Sequence, residues 1–127
     1  MNPIRMSRVE SAIRIGLKYN EAFNKNDVKA LAELITVDCI LESSGPTPAG
    51  AVYSGKSELT QFWEDFFEVH PGARIELEDI SSLGFKCIMR WRYDFPENMG
   101  ELANLRGIDI LELKQGLICK IWSYVKG

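Results

Sequence analysis

One carboxylate stands in a setting that carboxylates avoid. Asp109 is flanked by Ile108, Ile110 and Leu111 within residues 105–125, LRGIDILELKQGLICKIWSYV. A charge in an apolar surround is costly unless it is paired or its pKa rises. Two readings stand side by side. Asp109 is a general acid/base or hydrogen-bond donor with a raised pKa, or it is a buried carboxylate paired with an arginine such as Arg90 or Arg92. Other chemistry-bearing residues are sparse. His70 is the only histidine, and it stands at the end of a helical pattern, where a cation suits the helix dipole. It reads as a lone surface residue. Cys39, Cys87 and Cys119 are widely spaced in apolar runs, which suits reduced core cysteines and a cytosolic compartment. No Cys/His spacing suggests a metal site, and there is no Ser-His-Asp set, phosphate loop or dinucleotide fingerprint. Neither a metal nor a cofactor is expected.

The element that positions Asp109 reads as a β-hairpin. Two alternating runs flank Lys114-Gln115-Gly116, and a glycine near the tip supplies the positive φ that short hairpin loops need. Period-2 alternation puts Gly107, Asp109, Leu111 and Leu113 on one face of the first arm. On the second arm Ile121, Ser123 and Val125 share a face, opposite Lys120, Trp122 and Tyr124. Neither face is plainly polar, so both sides of the hairpin are expected to be covered.

Upstream, residues 1–6 read as a loose arm. A helix follows from Ser7, with Val9, Ala12, Ile13, Gly16, Leu17, Asn20 and Phe23 at spacings of three and four and Tyr19 and Ala22 flanking that stripe. Ser7 and Glu10 form a candidate capping box. Asn24-Lys25-Asn26 stops this helix, and Asp27 can cap a short second one with Val28, Leu31, Leu34 and Ile35 on its buried face. Residues 37–42 read as a strand and 43–54, with two Pro and two Gly, as a loop. A third helix over about 57–69 carries a heavy aromatic face, including Trp63 and Phe66. Strands over 73–80 and 86–95 and a loop over 96–104 lead into the hairpin.

Helices first and strands later predict an α+β fold, an antiparallel sheet packed on its helices. A strongly curved sheet would wrap the first and third helices and turn Met89, Trp91, Tyr93, Asp109, Leu111, Ile121 and Ser123 inward. Mostly aromatic and aliphatic with a few polar groups, that face is the composition of a small-ligand pocket. The 127 residues predict a single domain spanning 1–127, with 46% hydrophobic and 26% charged residues in the ordinary globular range. A net charge of −3 and the absence of a basic stripe argue against nucleic acid as a partner. No long apolar stretch at the N-terminus suggests a signal peptide or membrane span.

Several stretches in order carry a family resemblance: 19–27 (YNEAFNKND), 37–42 (VDCILE), Ser54-Gly55 opening a helix, 106–109 (RGID) and 116–122 (GLICKIW). Together they resemble the SnoaL-like polyketide cyclase and ketosteroid isomerase group over roughly residues 9–125. The resemblance implies the nuclear-transport-factor-2-like, cystatin-like cone. It also implies site residues. In ketosteroid isomerases a tyrosine on the first helix and a protonated aspartic acid on the penultimate strand form the oxyanion hole, and Tyr19 and Asp109 match them by local motif. The isomerase base, just past the early strand, falls on Ser43 here, with Glu42 beside it. In SnoaL-like cyclases the aspartate matching Asp109 is the proposed acid/base, assisted by a histidine from the preceding loop. The loop over 96–104 contains no histidine. Members resembling limonene-epoxide hydrolase need a further aspartate near Ser123, so the chain departs from them.

The expected function is therefore a pocket for a small hydrophobic molecule, as a cofactor-independent isomerase or lyase acting on a carbonyl compound. Asp109 would move or donate a proton and Tyr19 would polarise the substrate oxygen; the alternative for Tyr19 is a packed ring with its hydroxyl at water. Ser43, Trp63, Phe66, Met89, Trp91, Tyr93, Leu111, Ile121 and Ser123 would contact the ligand. A non-catalytic binding module and a dimerisation domain with a filled cone are the competing readings. Parity also sends Ile108, Ile110, Trp122 and Tyr124 to the outer face, where such a contiguous patch predicts a homodimer.

Overall fold

The side-chain pattern resolves into three helices and six strands in the computed structural model, which describes residues 3–44, 50–94 and 105–126, with side chains from residue 12 onward. Helix α1 spans Pro3–Asn24, α2 Val28–Glu33 and α3 Lys56–Val69. The strands are β1 Ile35–Ser43, β2 Ala51–Ser54, β3 Ile75–Leu83, β4 Lys86–Tyr93, β5 Arg106–Lys114 and β6 Leu117–Lys126. They form one open sheet in the order β2-β1-β6-β5-β4-β3. The four strands after α3 run as the expected antiparallel meander. The expectation of a wholly antiparallel sheet is corrected at one seam, because β1 lies parallel to β6 and so joins the early strand to the last.

Boundaries also differ from the sequence reading at two places. Helix α1 begins at Pro3, so residues 3–6 are helical rather than a loose arm and Ser7 lies inside the helix, not at its cap. Proline is well placed at such a start, because its missing N–H would have no intrahelical partner there. The segment read as loop over 43–54 contains β2, which pairs antiparallel with β1 from Ser43↔Ala51 to Ile40↔Ser54. The proline and glycine content of 43–54 hid the short strand at its end. The loop over 96–104, Phe95 and residues 45–49 lie outside the described residues.

Local chemistry explains the joints. Asp27 caps α2 by accepting a hydrogen bond from Ala30 N at 3.0 Å. Gln115 and Gly116, at φ 52° and 81°, make the two-residue β5–β6 turn whose twist matches the flanking strands. Two asparagines after α1 act as a clamp. Asn24 Nδ2 donates to Ile75 O at 3.0 Å while its Oδ1 accepts from Ile75 N at 2.8 Å. Asn26 donates to Ala73 O at 2.9 Å and accepts from Gly72 N at 2.8 Å. They satisfy backbone groups of the connection from α3 to β3, which strand pairing leaves over.

The helices divide one face of the sheet between them. Helix α1 packs on β3 and β4, α3 on β1 and β2, and α2 touches both helices. Close approach of α1 depends on Gly16, since a Cβ there would come within 2.6 Å of Cys87 Sγ. The buried side of α1 runs through Ala12, Gly16, Tyr19 and Phe23, while Leu17 is 49% exposed, so the stripe is rotated from the one expected. On α3, Leu59, Trp63 and Phe67 are buried at four-residue spacing. The central strands β5 and β6 lie between the two helix contacts, and the cavity forms over them.

The opposite face carries Ile108 and Tyr124, which are 40% and 53% exposed. Ile88, Ile110 and Trp122 form one row across it and Arg90, Ile108 and Tyr124 the next. Lys86 and Lys120 lie 5.4 and 4.6 Å from the centre of the Trp122 ring. Among the described residues no helix is long and apolar enough to cross a membrane.

Candidate functional site

Strand register lays the inner face out in rows. Ser43, Ser123, Asp109 and Met89 stand side by side on β1, β6, β5 and β4. On the hairpin-tip side, Leu41, Ile121, Leu111 and Cys87 form an apolar row, all 4% exposed or less. On the other side stand Val125, Gly107, Trp91 and Leu77. A single polar row thus crosses an apolar floor. Above it lies a cavity of about 280 Å³, at the small end for ligand pockets.

Of the residues expected at the site, Tyr19, Ser43, Trp63, Phe66, Trp91, Tyr93, Asp109 and Ser123 all line this cavity. Met89, Leu111 and Ile121 do not. They share the inward face but are fully buried in the closed core below the cavity, which corrects their reading as ligand contacts. His70 is corrected in the other direction: it is half-buried, lines the cavity, and rests its ring 5.1 Å from that of Phe66. A signal was there to find, because Phe62, Phe66 and His70 recur every four residues and so share one helix face. Phe23 and Phe62, also not singled out, complete the aromatic wall.

Asp109 is 6% exposed. Arg92 is taken by Glu76 at 2.6 Å, Arg90 sits with Ile108 and Tyr124 on the outer face, and no ion pair forms at Asp109 among the described residues. The arginine-paired reading is therefore set aside. Burial raises the carboxyl pKa from 3.8 to about 6, opposed by Ser123 and Trp91, which face it. The indole approaches without completing a hydrogen bond: Trp91 Nε1 and Asp109 Oδ1 are both buried and unpartnered. Gly107 makes this approach feasible, since any Cβ there would overlap the Trp91 ring.

Two phenols share the carboxyl's surroundings. Burial pushes the Tyr19 pKa well up, and the charges of Asp109, Cys39 and Tyr93 add to it, with Trp63 opposing. Tyr93 is raised by burial and then by Asp109. Both therefore stay protonated and can donate. The Tyr19 and Trp63 rings meet edge to face at 6.3 Å, and Trp91 meets Tyr93 at 5.0 Å. The thiols are poor nucleophiles by contrast: burial lifts Cys39 to about 12 and Cys87 to about 11. Cys119 is only half-buried, less enclosed than a core cysteine. Among the described residues no group of three or more His, Cys, Asp or Glu side chains is placed to hold a metal ion.

Comparisons with known proteins agree with this architecture. A nuclear-transport-factor-2-like protein of unknown function from Mesorhizobium loti is 32% identical, with 94% of each chain covered and a TM-score of 0.79. A candidate ketosteroid isomerase from Kribbella flavida is 15% identical, covering 94% of this chain and 80% of that one, at a TM-score of 0.78. A candidate polyketide cyclase from Sinorhizobium meliloti is 20% identical over 87% of this chain and 93% of that one, at a TM-score of 0.70. The last two likenesses bear on fold alone. No curated protein matches the chain. Residues 17–121 match the family model of the SnoaL-like domain, and the chain belongs to that family.

Proposed function

We propose that this protein binds a small, largely apolar carbonyl compound and acts on it as a cofactor-independent isomerase or lyase, with Asp109 as the proton-transfer group. One observation carries the reading: a cavity-facing carboxyl, free of any cation among the described residues, with its pKa raised to about 6. A base poised near the working pH is the efficient one. The carboxylate would take a proton from a carbon beside the substrate carbonyl. The electron pair of that C–H bond would pass to the carbonyl oxygen, giving an enolate. The neutral phenol of Tyr19 would hold that oxygen, and Asp109 would return the proton to the same carbon or, where a C=C adjoins it, to the far carbon of the conjugated dienolate.

The test is solvent-deuterium exchange followed by NMR on a panel of small aryl and cyclic ketones. The exchange rate should rise with pH and level off above about 6, and Asp109→Asn should remove it. Full activity in Asp109→Asn would show that the role given to Asp109 is wrong, and a rate falling above that pH would make it a donor instead. Ser43, in the position where the resemblance calls for a base, favours the second reading, a binding module; any cavity-dependent turnover would remove it. We propose also that two copies pair through the outer face, burying the rows that hold Ile110 and Trp122, and Ile108 and Tyr124, with the Arg90 and Lys120 charges at the rim.

A further inference from the structure

The cavity lining carries a carboxyl at Asp109 and an imidazole at His70. Asp109 pairs with Met89 on β4, and the Tyr93 backbone lies four residues along that strand from Met89, a rise of roughly 13 Å at about 3.3 Å per residue, with its side chain reaching back within the electrostatic range of Asp109. Phe66 stacks on Tyr93 at 6.5 Å, and His70 rests on Phe66. His70 therefore belongs to the Tyr93 end. It lines the cavity and also a shallow groove outside α3, bounded by Tyr53, Phe62 and Val69, so its ring stands where cavity and surface meet. Its backbone is fully occupied: its N–H donates to Phe66 O at 2.9 Å and its carbonyl accepts from Ala73 N at 3.1 Å. Its ring nitrogens make no hydrogen bond or ion pair among the described residues. The described lining holds no lysine or arginine, so His70 is the one lining side chain there that can carry positive charge.

We propose that His70 is a ligand anchor, and that the ligand is a small flat keto acid with its carboxylate on the His70 ring, its carbonyl at the Asp109 row, and a rigid apolar spacer between. The proposal rests on the preceding reading for its carbonyl end. The reverse orientation would set two carboxylates together at Asp109, which is 6% exposed and poorly screened by water, so that like charges repel strongly. Phe23, Phe66 and Trp91 also line the cavity, surfaces suited to stacking an aromatic spacer. Side chains reaching in from both ends shorten the span to that of one or two rings.

The experiment titrates the protein with 4-acetylbenzoate and 6-acetyl-2-naphthoate, each against its neutral carboxamide, following tryptophan fluorescence from Trp63 and Trp91. At least one acid should bind about tenfold more tightly than its amide, the scale of one charge-assisted contact. In His70→Gln, and in His70→Asn as a second variant, the acid and amide should bind within about twofold of each other. Equal binding of acid and amide by the unmodified protein overturns the proposal, as does an acid preference that survives in a folded His70 variant or no binding of any probe at millimolar concentration. An acid preference without any proton exchange would sink the Asp109 reading and leave His70 as the anchor.

Discussion

Replacing Asp109 by asparagine should stabilise the fold at neutral pH and leave it nearly unchanged at pH 4. The carboxyl is 6% exposed, and folding moves its pKa from 3.8 to about 6. Below about pH 3.8 it is neutral in both folded and unfolded chains and costs nothing. Between 3.8 and about 6 the unfolded chain ionises first, so the unfolded state is progressively favoured. Above about 6 the cost is complete. At roughly 1.4 kcal/mol per pH unit it amounts to about 3 kcal/mol. Asparagine keeps the shape, stays neutral throughout, and can still face Trp91 and Ser123. For a domain of this size the gain at pH 7 corresponds to a Tm rise of about 10 °C. Urea unfolding of both proteins at each pH unit from 4 to 8 measures it. A difference that stays constant across that range, or an Asp109→Asn protein less stable at pH 7, would refute the account of Asp109 as a carboxyl desolvated by its cavity.

Asn24→Ala should cost about 2 kcal/mol in urea unfolding, because it leaves both the N–H and the carbonyl of Ile75 without their side-chain partner; a loss below about 0.5 kcal/mol would mean that water replaces the clamp freely. Gly107→Ala should cost about 1–3 kcal/mol and shift Trp91 fluorescence, since the new methyl group occupies the space of the Trp91 ring; an unchanged spectrum and stability would count against the close packing at Gly107. Sedimentation at micromolar concentration should give about twice the 14.4 kDa chain mass, and Tyr124→Asp with Ile108→Asp should return it to a monomer. A monomeric unmodified protein would end the outer-face proposal.

Period-2 parity was the most informative signal in the chain. It placed Asp109 and Ser123 inward and Ile108 and Tyr124 outward, as the structure has them. Parity reports the face, however, and not the depth along it. Met89, Leu111 and Ile121 obey the same alternation as Asp109 yet are fully buried in the core and do not line the cavity. The polar row itself was not legible. Ser43 meets Ser123 only through the parallel pairing of β1 with β6, a contact between strands at opposite ends of the chain that no local pattern encodes. Strand β2 was hidden for a similar reason: four residues next to a Pro/Gly-rich sequence carry too little periodicity. His70 was misplaced because a lone histidine after a helix was judged by its type. Its four-residue spacing from Phe66 pointed to the cavity instead.

The placement of the helices also explains why one carboxyl is set apart chemically. Were α1 and α3 to meet over β5 and β6, the floor between them would be filled core, and a carboxylate there would be selected against. Instead each helix holds an outer pair of strands, and the central strands are left with a concave, largely apolar space above one row of residues. A charged group in that row meets neither bulk water nor, among the described residues, a counter-ion, so its pKa must rise. How far it rises is set by the donors that face it. Gly107 admits the Trp91 indole, and register aligns Ser123 beside the carboxyl; both pull the value back down, toward the range where a carboxyl can give and take a proton near neutral pH. Removing either donor should therefore push Asp109 further from its ordinary value and toward a permanently protonated acid. The position of one glycine on β5 thus helps decide whether the residue two positions along the strand works as a base.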